Sequence, residues 1–68
     1  MPETRRTMLI RNVHGEGWYV TLLYDGEIIV TCGPTKTKPG PRRLRSLQYR
    51  HFQGHTYDLV KGEEETIR

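Results

Sequence analysis

Apolar and polar residues alternate in three early stretches of the chain, and the period then lengthens. Over 7–13, Met8, Ile10 and Asn12 fall on one face of an extended strand, and Leu9, Arg11 and Val13 on the other. The stretch 18–24 carries the strongest strand signal. Trp18, Val20, Leu22 and Tyr24 share one face there, and Tyr19, Thr21 and Leu23 the opposite one. A third strand over 27–32 groups Ile28, Val30 and Cys32. Between the strands lie His14-Gly15-Glu16-Gly17 and Asp25-Gly26, the second a favoured two-residue hairpin turn. Two short hairpins in succession predict a three-stranded antiparallel meander.

Residues 33–41 contain three prolines and two glycines and predict a loop, unable to serve as a central strand. Beyond them Leu44, Leu47, Gln48, His51 and Phe52 recur at i, i+3, i+4, i+7 and i+8, the stripe of an amphipathic helix. Pro41 suits the first helical turn and Gly54 the C-terminal cap, so a helix is expected over 42–52. The alternative is a fourth strand over 46–52, giving an all-β, SH3-like barrel. A short strand over 56–60 closes the pattern, with the order β-β-β-loop-α-β and an α+β class. Residues 1–6 are expected to be disordered, 7–61 to form a single domain, and 62–68 to be a loose acidic tail.

Composition narrows the picture. Sixty-eight residues leave no room for a two-domain enzyme. No apolar run approaches the roughly 18 residues of a membrane span. The N-terminal MPETRRTMLI lacks an apolar signal core, so a cytoplasmic location is expected. The lone Cys32 cannot form an intramolecular disulfide. The chain has no alanine but eight threonines, which argues against a mainly helical fold. Leu, Ile, Val and Phe number 15 of 68, so the core is thin, worth about 3–5 kcal/mol net at this length. A thin core makes a homodimer, paired through an exposed sheet edge, one expected state.

The net charge of +3 is segregated. Residues 1–13 carry +2, 14–27 carry −3 and 58–68 carry −2. Residues 28–57 hold Lys36, Lys38, Arg42, Arg43, Arg45 and Arg50 with no acid at all. Such a block fits backbone phosphates, because guanidinium and ammonium groups displace condensed counterions. A small regulatory nucleic-acid-binding protein, with DNA the favoured partner, is therefore expected; the size suits a phage or mobile element. The competing reading is a regulator or inhibitor docking on an acidic protein surface. Both use the same cations, and neither needs a cofactor.

Leu9-Ile10-Arg11-Asn12, then Gly17-Trp18-Tyr19-Val20, then Asp25-Gly26 and a helix, resemble the N-terminal DNA-binding domain of phage-type tyrosine recombinases. The resemblance spans 7–53. It implies a three-stranded sheet packed on a helix, with one sheet face against DNA and Arg11, Tyr19, Thr21 and Lys36 in contact. The chain departs from that pattern in its Pro-rich loop, and no catalytic domain is expected.

His51 and His55 stand at i, i+4, a spacing that on a continuous helix aims two imidazoles at one metal, but Gly54 interrupts the helix. No metal site is expected. His51, His55, Arg50 and Tyr57 also cluster in sequence as a metal-free ribonuclease would require. That reading ranks below both binding readings, and no catalytic residue is assigned.

Overall fold

The computed structural model describes residues 4–62 and the backbone of 65–66. The elements run β1 (Arg6–His14), β2 (Gly17–Tyr24), β3 (Glu27–Thr35), α1 (Pro41–Phe52), β4 (Asp58–Lys61) and β5 (Glu65–Thr66). The fold is α+β, with the helix where the 3.6-residue period placed it and no fourth strand over 46–52. β1, β2 and β3 form the antiparallel meander. The sheet order is β3-β2-β1-β4, and β5 pairs with β1 beyond the end of β4. β4 and β5 both run parallel to β1, so the sheet is mixed. The crossover through α1 carries the chain from one edge of the sheet to the other.

Alternation along the two central strands builds half of the core. Met8 lies opposite Leu22 and Ile10 opposite Val20, and all four are buried. α1 adds Leu44, Leu47 and Phe52 from its inward stripe. Tyr24 meets Phe52 edge-on at 5.8 Å between centroids, and Tyr57 flanks Phe52 at 6.2 Å. Both distances fall in the range preferred by aromatic pairs. Trp18, Val30 and Cys32 pack around this centre, half-buried.

Turns and caps follow the local chemistry. Asp25 and Gly26 both take positive φ, 50° and 86°, as a tight hairpin with right-handed strand twist demands. Pro41 occupies the first turn of α1. The helix ends on Gln53 in the left-handed region, and the Gly54 N–H donates to the Gln48 carbonyl. The Gln48 side-chain amide donates to the carbonyls of Gly54 (3.0 Å) and His55 (2.8 Å). A polar residue in the inward stripe thus ties the helix end to the segment leading into β4.

Four expectations change. The C-terminal strand lies at 58–61 rather than 56–60, because pairing with β1 aligns Asp58 with Thr7 and Lys61 with Ile10. β3 continues through Gly33 and Pro34 to Thr35, although 33–41 reads as a loop. It can do so because it is an edge strand, where a missing N–H is tolerated. Ile28 does not share a face with Val30 and Cys32. Val30 pairs with Leu22 but Ile28 pairs with Leu23, which leaves Ile29 as one extra residue in β3. The bulge turns Ile28 to the opposite face, where it is 66% exposed. At the N-terminus, expected to be disordered through residue 6, Arg6 already belongs to β1; the Asp25 N–H donates to the Arg5 carbonyl, and the Arg5 N–H donates to the Asp25 carboxylate. Apart from the Glu65–Thr66 backbone, the acidic tail beyond Gly62 lies outside the described residues.

Two variants probe this architecture. Phe52→Ala removes about 3–5 kcal/mol, as much as a core of this size supplies. The variant should be unfolded at 25 °C, seen as loss of dispersion in a one-dimensional NMR spectrum. Gly17 has φ +127°, and a Cβ there would stand 2.5 Å from the Thr35 carbonyl oxygen; at Gly26 a Cβ meets nothing within 4 Å. Gly26→Ala should lose only the left-handed penalty of about 1–2 kcal/mol. Gly17→Ala should show a lower urea midpoint than Gly26→Ala.

Candidate functional site

The eight candidate binding residues divide between two sides of the sheet. Lys36 and Lys38 are exposed on the β3–α1 loop, and Arg42, Arg43, Arg45 and Arg50 are exposed on α1. These six belong to the helix layer. Arg11 and Tyr19 are half-buried cross-strand partners on the other sheet face, where Thr21 is buried. The helix covers the face of Met8, Ile10, Val20 and Leu22, so no single flat surface gathers all eight. Of the residues that the recombinase resemblance selects, Arg11, Tyr19 and Thr21 share the helix-free face, whereas Lys36 extends past the end of β3.

The two sides differ in how their charges are satisfied. On the helix-free face the Tyr19 hydroxyl donates to the Glu16 carboxylate, and the Arg11 guanidinium lies 5.9 Å from the Tyr19 ring centre. Thr21, only 2% exposed, has its hydroxyl 3.4 Å from that of Thr31. The hydrogen bond to Glu16 is the main cause of a raised Tyr19 pKa; desolvation and the carboxylate charge add to it, and Arg11 opposes it.

On the helix layer none of the six cations forms a salt bridge with a described residue. The ion pair found among the described residues, Arg5 to Asp58 at 3.2 Å, lies elsewhere, across the N-terminal ends of β1 and β4. Two of the six instead sit over aromatic rings. Lys38 Nζ is 5.9 Å from the Trp18 centroid, and the Arg45 guanidinium is 6.0 Å from that of Tyr49. Around the helix axis, Arg42, Arg45 and Tyr49 form one outward stripe at i, i+3 and i+7. Arg43 and Arg50 form a second stripe beside it.

The first turn of α1 is unusual electrostatically. Gly40 offers no side-chain cap, and no acidic residue occupies the turn. Arg42 and Arg43 stand there instead, against a macrodipole whose positive end already points out of the helix N-terminus. Helix dipole and guanidinium charges thus add.

Tyr49, 60% exposed, is not among the residues that charge alone selects. Its spacing from Arg42 and Arg45 is the sequence signal that reveals it. His51 is half-buried and His55 exposed, and Tyr57 is committed to packing on Phe52. Among the described residues no three His, Cys, Asp or Glu side chains stand close enough to share a metal ion. No described helix is long and apolar enough to cross a membrane. Compared with known proteins, the chain matches no protein-family model, no curated protein and no solved structure.

The Tyr19–Glu16 contact gives a pH prediction. An acceptor carboxylate favours the protonated phenol, so the stabilisation is complete below the ordinary value of 10.0 and fades as pH rises through the raised pKa. In an NMR titration of tyrosine rings, Glu16→Gln should bring Tyr19 ionisation to lower pH. An unmoved titration would show that Glu16 is not the cause.

Proposed function

We propose that this domain binds nucleic acid through the β3–α1 loop and the outward face of α1, with Lys36, Lys38, Arg42, Arg43, Arg45 and Arg50 contacting phosphates. The observation that carries this reading is the first turn of α1. Arg42 and Arg43 occupy positions where acidic residues would stabilise the helix by about 0.3–1 kcal/mol each. Cations at that end lower stability, and a polyanion is the partner that turns this cost into affinity. The four remaining cations extend the same positive surface along the loop and helix, and exposed Gly40, with open space around it, lets backbone approach the ligand closely. Arg11 and Tyr19, on the far side of the sheet with Arg11 against the Tyr19 ring and the Tyr19 hydroxyl on Glu16, stand outside this contact surface.

The test is an anisotropy titration with a labelled oligonucleotide at about 50 and 200 mM salt. Six phosphate contacts predict an affinity loss of about 10³-fold between the two. Arg42→Ala with Arg43→Ala should weaken binding alike on every base sequence and reduce the salt slope by roughly 2. The same pair should leave the fold intact or slightly more stable in urea, because both arginines oppose the dipole. Absence of binding to any nucleic acid at 50 mM salt would falsify the proposal and leave an acidic protein surface as the partner for these cations.

A further inference from the structure

Tyr49 departs from the other aromatic residues of the helix side. Trp18, Tyr24, Phe52 and Tyr57 all pack into or against the core. Tyr49 lies on the outward side of α1, opposite Leu44 and Leu47, with most of its surface in solvent. Its ring is nevertheless held in place. One edge rests on Gly54, so closely that a Cβ there would approach the ring carbons to 3.0 and 3.2 Å. The Arg45 guanidinium lies over the ring from one turn earlier. Gly54 is itself fixed by its N–H bond to the Gln48 carbonyl and by the Gln48 amide. The result is an exposed aromatic ring, pre-positioned, with the Arg45 guanidinium beside it and Arg42 and Arg50 on the same helix.

From this geometry we infer that Tyr49 is a stacking platform for an unpaired nucleobase, and that the nucleic acid this domain prefers is single-stranded. The inference rests on the proposed nucleic-acid reading and narrows its substrate class. Bases within a duplex already have both π faces covered by their neighbours. A surface tyrosine among phosphate-binding arginines can stack only on a base that is free. Stacking tolerates any base, since each has a π face, and the flanking guanidinium groups hold the adjacent phosphates. Ordering of the ring by Gly54 and Arg45 reduces the entropy lost when a base docks.

The deciding measurement compares a labelled oligothymidylate of about 16 nucleotides with a mixed-sequence duplex of equal length, both at low salt. Wild-type protein should bind the single strand more tightly. Tyr49→Ala should weaken single-strand binding by roughly 5- to 150-fold and leave duplex binding unchanged. Tyr49→Phe, which keeps the ring, should retain wild-type affinity. Circular dichroism of Tyr49→Ala, expected to match wild type, separates a lost platform from a lost fold. Equal binding of strand and duplex, an unaffected Tyr49→Ala, or a Tyr49→Phe as weak as Tyr49→Ala would each overturn the stacking role while leaving phosphate binding in place. Failure of the wild type to bind either oligonucleotide would instead remove the nucleic-acid reading on which the inference depends.

Discussion

One helix has to seal one face of a small sheet, and every other feature of the molecule adjusts to that requirement. The seal is made by Leu44, Leu47 and Phe52 closing over Met8, Ile10, Val20 and Leu22. With so few side chains available, the inward stripe of α1 cannot rotate without exposing one of them. That fixes the helix about its own axis, and so fixes which residues face out. Arg42, Arg45 and Tyr49 are displayed because the opposite side of the same helix is fully used. The return of the chain to the far edge of the sheet, where β4 joins β1 in parallel, follows from the same crossing.

The two outer surfaces of this two-layer domain are chemically unlike. The helix-free sheet face contains its own answers: the Tyr19 hydroxyl meets Glu16, Arg11 lies against the Tyr19 ring, and Thr21 and Thr31 lie side by side. The helix layer gathers positive charge without neighbouring acids among the described residues. Packing of the apolar stripe is what allows the helix to form with arginines in its first turn and without a side-chain cap. In proteins, tertiary burial outweighs the end effects that decide the fate of isolated helices.

Much of this architecture was legible in the sequence because its signals are local. Alternation located β1 and β2, Asp25-Gly26 located the second hairpin, and the Leu44, Leu47, Phe52 spacing with Pro41 located the helix. What escaped depends on distant partners. The extra residue Ile29 looks like any other β-branched strand residue until the pairings of Leu22 and Leu23 are known. Pro34 reads as a strand breaker unless β3 is known to be an edge. Leu59 and Val60 are too few to set a register, which comes from β1. Gln48 occupies the buried stripe as a polar residue, and its two acceptors emerge only from the turn geometry at Gly54 and His55. Among site residues, the run of cations from Lys36 to Arg50 was plain. The separation of Arg11 and Tyr19 from that run follows from which sheet face the helix covers, a fact that charge does not encode.

The irregularity of β3 also bears on how the molecule behaves in a crowd. A straight, flat edge strand is a template on which further chains can add. β3 has one register shift at Ile29, a second between the pairs Trp18–Thr35 and Val20–Cys32, and Pro34 within it. An incoming strand would have to reproduce both offsets and forgo a hydrogen bond at the proline. In a domain with few buried side chains, such defects make this edge a poor template for an added strand. Restoring a regular ladder there, by deleting Ile29 and replacing Pro34, would trade a local irregularity for a surface prepared to polymerise.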